Sequence, residues 1–311
     1  GFIAFVEWVK RLTDSMVPVR YVMEATGVYH ESLAYYLDEQ GFEVSIILPN
    51  KISNYARTLN IKTVTDKTAS EAITQFGLER KLDQWHRPKG LYKKLRQLTR
   101  ERSQLVEERT VLKNQLHADQ AEAEPHQKSI VRIKKRIALL DKQEDEVIED
   151  LRSLIKTDEE MQQLVLLICT LPGVGLITAV TVLGESNGFD LINSKRQLTS
   201  YAGLDVKEKE SGTSVKGKPR ISKRGNKYLR KSMHFPALTA IRHDPRYKAV
   251  YARIVAKHGI KMKAAVAVQR KLLEMIFTIY KTKTAYNKNY LNLNEELIDK
   301  ESEMLIDAIK N

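Results

Sequence analysis

The first stretch of the chain alternates between helical and extended periods. Apolar residues in 2–12 recur at helical spacing, residues 20–23 (Arg-Tyr-Val-Met) read as a strand, 30–40 as a helix, and 44–48 (Val-Ser-Ile-Ile-Leu) as a second strand stopped by Pro49. A further helix is predicted over 66–77. Strand, helix and strand in that order predict a sheet with a crossover helix. No strand precedes the first predicted helix, so an edge strand of the sheet is expected to be missing from the sequence.

After His86-Arg-Pro the period changes. Leu91, Leu98, Leu105 and Leu112 recur every seven residues, with Leu95 and Leu116 on a second row, which is the seam of a coiled coil. The pattern falters over 118–127 around Pro125, then resumes with Ile130, Ile133, Ile137, Leu140, Val147, Leu151 and Leu154. Two antiparallel helices folded on one another are predicted, with an uninterrupted parallel pair as the alternative; either could supply an oligomer contact. From Met161 the pattern is compact and mostly helical, with Gly and Pro punctuation at 171–175, 184–188 and 211–225. Residues 247–280 read as a helix or helix pair with a basic outer face, and 287–311 as a polar, partly helical tail. The expected division is an α/β domain over 1–86, a coiled coil over 87–160, a mostly helical domain over 161–285, and a tail over 286–311. Trp8 and Trp85 are expected in a core or at a domain junction.

Composition narrows the function. Lys and Arg number 52 against 39 Asp and Glu, a formal charge of +13 in a chain of 311 residues that is 42% hydrophobic. An excess of this size points to a polyanionic partner, because phosphates reward clustered cations. The single cysteine, Cys169, excludes a disulfide within one chain and suits a reducing compartment. No apolar run approaches the ~20 residues of a membrane span, so a soluble, cytoplasmic protein with no membrane partner is expected.

Three segments carry candidate chemistry. Leu171-Pro-Gly-Val-Gly, between two apolar helical runs, resembles a helix-hairpin-helix turn, in which Gly173 and Gly175 would let backbone N–H groups approach a phosphate; an ordinary tight helix connection is the alternative. Residues 211–230 gather Lys216, Lys218, Arg220, Lys223, Arg224, Lys227 and Arg230, which would hold a sugar-phosphate backbone. Within them Ser222 is a hydroxyl flanked by cations, either a phosphate donor or a nucleophile. Glu24 ends a predicted strand and Asp66 opens a predicted helix, two hard oxygen donors suited to Mg²⁺, or a surface acid and a helix cap. The histidines show no zinc-ligand spacing with Cys169, and His243-Asp244-Pro245 reads as a helix-ending turn.

Met23-Glu24-Ala-Thr-Gly-Val-Tyr, Lys62-Thr-Val-Thr-Asp66-Lys-Thr, the coiled coil, Leu171-Pro-Gly-Val-Gly and Ile221-Ser-Lys-Arg-Gly-Asn-Lys-Tyr-Leu-Arg, in that order, resemble the DEDD transposases of bacterial insertion sequences, a family that includes Piv-like invertases. The resemblance implies a RuvC-like (RNase H-type) domain, an antiparallel coiled coil that joins copies into a dimer or tetramer, and a mostly helical transposase domain with the helix-hairpin-helix turn. It implies a DNA recombinase in the bacterial cytoplasm, at the nucleoid, guided by a structured bridge RNA that pairs with donor and target DNA. Four carboxylates would bind Mg²⁺, and a serine would attack DNA by transesterification. Glu24 matches the second acid, Asp66 the third, and Ser222 the nucleophile, with Ser211 and Ser214 as fallbacks. The first acid would precede Gly1, and the fourth position, three residues after Asp66, is Ala69, so impaired cleavage is expected. The rival readings are a RuvC-like metal-dependent nuclease without a serine nucleophile, and a non-enzymatic nucleic-acid scaffold.

Overall fold

The computed structural model describes residues 1–287 apart from Ser15, Thr26, Gly27, 60–62, Val64, Leu191, 208–209, 212–214 and 217–219. The described residues form two compact units, Gly1–Pro88 and a second beginning at Lys89. The fold is helix-rich with small sheets, consistent with an RNase H-like core and a helical domain.

In the first unit β1 (Arg20–Glu24) and β2 (Glu43–Ile47) pair in parallel, with Arg20 opposite Glu43 and Glu24 opposite Ile47. A parallel pair needs a crossover, and α2 (Glu31–Glu39) supplies it. The alternation of the strands turns Tyr21 and Val44 onto Ala34 and Leu37 of α2 and Val6 of α1 (Phe2–Leu12), which together make the core. Pro49 does more than stop a strand: it occupies the first turn of α3 (Pro49–Thr58), where its missing N–H costs nothing. A Tyr55–Phe76 edge contact at 5.1 Å joins α3 to α4 (Asp66–Glu79). Trp85 is half-buried against Tyr35 at 5.6 Å. Trp8, expected in a core or at a domain junction, is 53% exposed and so is not a core residue of this unit. It lies on the face of α1 opposite the buried Val6, beside Phe5.

The second unit opens with two long antiparallel helices, α5 (Gly90–Ala121) and α6 (Gln127–Lys156). Arg102 meets Glu144 at 2.6 Å, and Arg109 bridges Asp141 at 2.6 Å and the same Glu144, so an otherwise uncompensated buried carboxylate holds two guanidinium groups. Leu112, Ile133 and Leu140 form a small core at one end of the pair. At the other end Tyr92, Leu95, Val147, Leu151 and Ile155 enter the main core of the unit.

That core surrounds α8 (Leu176–Glu185), buried from Ala179 to Glu185, and receives α7 (Glu159–Cys169), α9 (Lys195–Tyr201), α10 (Lys227–Ser232), α11 (His234–His243), α12 (Pro245–His258) and α13 (Lys261–Thr282). Gly184 lets α8 cross α5 closely: a Cβ there would lie 2.8 Å from the Arg96 backbone nitrogen. Four two-residue strands, β3 (Val206–Lys207), β4 (Glu210–Ser211), β5 (Val215–Lys216) and β6 (Arg220–Ile221), form two short antiparallel ladders, β3 with β6 and β4 with β5. Asp244 both ends α11 and caps α12, accepting from the Arg246 amide at 2.9 Å, with Pro245 in the first turn. Residues 247–280 are a helix pair, divided by Gly259 at φ +68°.

Candidate active site and nucleic-acid interface

Glu24 is half-buried as the last residue of β1, and the ladder runs one residue past it through the Ala25 amide to the Ile47 carbonyl at 2.8 Å. Asp66 stands in the first turn of α4. The cap itself is Thr65, whose Oγ1 accepts from the Thr68 amide at 3.2 Å while its own amide donates to Thr68 Oγ1 at 2.9 Å. Asp66 is therefore left exposed at the positive end of the helix dipole. α4 packs along β1, with Gly77 so near Val22 that a Cβ would come to 3.0 Å of its Cγ2. Ala69 follows one turn after Asp66 on the same side of the helix, and its methyl offers no ligand. Among the described residues no three His, Cys, Asp or Glu come together. Glu24 and Asp66 fit a hard divalent cation in kind.

In the second unit the loop of residues 222–226 is bound tightly to the turn of residues 201–205. Ser222 donates its amide to the Asp205 carbonyl at 2.8 Å and its Oγ to Asp205 Oδ1 at 2.5 Å, and accepts from the Arg224 amide at 3.3 Å. Lys223, at φ +53°, donates to the Gly203 carbonyl, and the Asn226 amide to the Tyr201 carbonyl at 2.8 Å. Asn226 Oδ1 caps α10 through the amides of Tyr228 and Leu229, while its Nδ2 donates to Glu185 Oε2 at 2.6 Å. Glu185, only 2% exposed, also takes a two-pronged ion pair from Arg100 at 2.7 and 2.9 Å, and Arg100 stacks over the Tyr228 ring. Burial pushes the phenol of Tyr201, bonded to the Glu185 carbonyl, upward in pKa.

These bonds sort the predicted cations. Lys223 and Arg224 are exposed on the loop, Lys227 is exposed at the start of α10, and Arg220 is exposed on β6. Arg230 instead turns inward to the carbonyls of Ala202, at 2.7 Å, and Gly225, at 3.1 Å. Lys216 lies in β5; Ser211 lies in β4; Lys218 and Ser214 fall outside the described residues, as does Lys62.

The turn between α7 and α8 uses its glycines differently. Gly173, at φ +81°, presses against α11, where a Cβ would lie 2.7 Å from the Pro236 carbonyl. Gly175 caps α8 with open space around it. A groove of about 290 Å³ runs beside this end of α8, lined by Arg102 and Ser103 of α5, Thr178 of α8, Lys231 of α10 and the exposed Phe235. Lys231 holds Glu107 at 2.7 Å and lowers its carboxyl pKa by that hydrogen bond. Sequence reasoning missed Lys231 and the Glu185–Asn226–Arg100 cluster. A carboxylate closing an apolar helical run was the available signal.

Comparison with known proteins gives this arrangement its context. A DEDD_Tnp_IS110 family model, described as "Transposase", matches residues 1–119, and the model "Transposase IS116/IS110/IS902 family" matches residues 165–252. The chain belongs to the IS110/Piv family of transposases. The pilin gene-inverting protein of Moraxella lacunata is 28% identical over 298 residues, covering 93% of this chain and 88% of that protein. The insertion element IS110 uncharacterized 43.6 kDa protein of Streptomyces coelicolor is 30% identical over 122 residues, 38% of this chain and 29% of that protein. The transposase for insertion sequence element IS1111A of Coxiella burnetii is 27% identical over 143 residues, 44% and 37% respectively. This IS110/Piv-family chain is thus a DNA-acting transposase or recombinase; membership of the family implies divalent-metal dependence, and no metal-binding cluster is seen among the described residues.

Family membership corrects the expected chemistry. The match over residues 1–119, to a model named for the DEDD acids, supports metal-dependent, nuclease-type transposase chemistry rather than serine transesterification. In the structure the Ser222 hydroxyl has a structural assignment, tying residues 222–224 to Asp205. No described helix is long and apolar enough to cross a membrane.

Proposed function

We propose that this chain cuts and rejoins DNA by Mg²⁺-dependent chemistry on its N-terminal RuvC-like domain, while its C-terminal transposase domain grips the DNA backbone. Glu24 and Asp66 would hold the ion, the first steadied by the strand ladder and the second by the capping box. Mg²⁺ held there would polarise a phosphoryl oxygen and activate water to cut, and the DNA 3′-hydroxyl released could then attack a second phosphodiester to rejoin. Lys223 and Arg224, on a loop tied by backbone bonds to residues 201–205, and Lys227, at the start of α10, would take phosphates, so little order is lost on binding. The α7–α8 turn would act as a helix-hairpin-helix, offering the free amides of the first turn of α8 to a phosphate.

The observation that carries this reading is a strand-end Glu24 and a first-turn Asp66, in family order, on elements packed against each other. Ala69 leaves the set one acid short. The test is Mg²⁺-dependent nicking of labelled DNA, in which Ala69→Asp raises the rate about tenfold or more and Asp66→Asn abolishes it. Rates unchanged in both variants overturn the reading.

The same reading includes a structured guide RNA and assembly into a dimer or tetramer through α5 and α6 as a coiled coil. The net charge of +13 suits a polyanionic partner, RNA as well as DNA. For assembly, Val111 and Leu139 stand 66% and 56% exposed around an apolar hollow on the paired helices. It also places the protein at the bacterial nucleoid.

A further inference from the structure

Where α12 turns back into α13, the surface opens into an apolar groove of about 420 Å³. Ile221, Ile254 and Val266 line it, and Ile260 and Met262 stand beside it at 55% and 60% exposure. Its lining cations are Arg220, Lys263 and Arg270, the last held by Glu274 at 2.8 Å. The local field is positive: the pKa of His258 is lowered by desolvation and then by Lys263 and Lys257. α12 itself carries Arg246, Lys248, Arg253 and Lys257 and no acid. An apolar groove with cations around it suits an acidic amphipathic helix.

The sequence after Asn287 has that chemistry. Plotted at helical spacing, Leu293, Leu297, Met304, Leu305, Ala308 and Ile309 share one face, with Glu301 among them. Glu295, Glu296, Asp299, Glu303 and Asp307 occupy the other, and residues 291–311 hold six acids against two lysines in a chain that is +13 overall. The chain also enters this segment at a suitable point. Tyr286 donates its hydroxyl to Asp244 Oδ2 at 2.8 Å and its amide to Thr170 Oγ1 at 2.9 Å, and stacks on Tyr247, which fixes residue 286 at the first turn of α12. From there α12 extends about 21 Å to the groove, and a helix of residues 293–309 would measure about 25 Å.

We propose that residues 291–309 fold back along α12 of the same chain and seat their apolar face in this groove, covering a basic surface that would otherwise take a polyanion. Carboxylates at the edges of the segment meet Arg220, Lys263 and the cations of α12. The segment is then a tethered competitor of DNA, and its release raises DNA affinity.

Hydrogen exchange on the dilute full chain tests this directly. Amides of 293–309 should exchange about tenfold more slowly than in a free peptide of that sequence, and the protection should vanish in Met262→Glu, a substitution at an exposed site. A second variant, Leu297→Ser with Leu305→Ser, leaves the groove intact and should raise affinity for duplex DNA about threefold or more. Absent protection, or protection that survives Met262→Glu, overturns the proposal. Protection that grows with protein concentration assigns the groove to a second copy. If Met262→Glu weakens DNA binding while the protection of 293–309 is unchanged, the groove faces nucleic acid. Each of these last two results also overturns the proposal.

Discussion

Asn226 Nδ2 lies 2.6 Å from Glu185 Oε2, so the last residue of the most buried helix holds the side chain that begins the cationic helix α10. The bond makes the loop of residues 222–226 an extension of the core. Glu185→Ala would strip Arg100 and Asn226 of their shared partner and is expected to cost about 3 kcal/mol. DNA affinity should fall with it, as Lys223 and Arg224 lose their support. Thermal unfolding and a DNA titration check both effects. Glu185→Gln keeps an acceptor for Asn226 and should recover part of the loop-dependent affinity.

Ser222→Ala removes one hydrogen bond to Asp205 and is expected to cost about 1 kcal/mol. Metal-dependent DNA cleavage should persist, at a rate changed only as far as loop order changes. Cleavage abolished in a variant that unfolds at the wild-type temperature would contradict the structural assignment of this hydroxyl.

The readable parts of this fold were those whose signal is local. The 20–23 and 44–48 alternation, the helix from Asp66 and the leucine rows of α5 report their own burial period, and β1, β2, α4 and α5 follow. Pro49 does stop β2, but α3 went unread because one residue can both end a strand and begin a helix. The loop bearing Ser222 read as a cationic surface, but its order comes from Glu185, Tyr201 and Asp205, which are remote in sequence and carry no periodic mark. Composition likewise gives Arg230 a charge, and only the folded chain shows its Nη1 on the Ala202 and Gly225 carbonyls.

Gly173→Ala tests the α7–α8 turn. The backbone there is left-handed at φ +81°, and the added methyl would meet the Pro236 carbonyl and Thr239. Strain and collision together should cost about 2 kcal/mol or more. Gly175→Ala meets nothing within 4 Å and should cost much less. Equal losses in chemical denaturation would contradict this division of labour between the two glycines.

Lys223→Ala and Arg224→Ala test the loop as a phosphate platform. Each should weaken DNA binding about equally across sequences and reduce the slope of log affinity against log salt by about 1. Arg230→Ala should act at least partly through stability, because its Nη1 donates to the carbonyls of Ala202 and Gly225. A salt slope unchanged in all three would move the phosphate contacts elsewhere on the protein.

Tyr286 supplies a pH prediction with a definite sign. Its phenol is pushed up to about 12 from an ordinary 10.0, first by desolvation and then by its hydrogen bond to Asp244 and the charge there. A raised pKa means that the folded chain favours the neutral phenol, so the stabilisation is complete below pH 10 and is lost as pH climbs through 10 towards 12. Ionisation would set a phenolate against the Asp244 carboxylate and release the chain from the start of α12. The phenolate absorbance of the full chain should therefore contain a late-titrating component that is missing in Tyr286→Phe, and the variant should lose less stability over the same alkaline range. If 291–309 is tethered through this residue, exchange protection of that segment should fall in the wild type across the same pH window. In Tyr286→Phe, which lacks the hydroxyl at every pH, that protection should be weaker from the outset and free of the alkaline step.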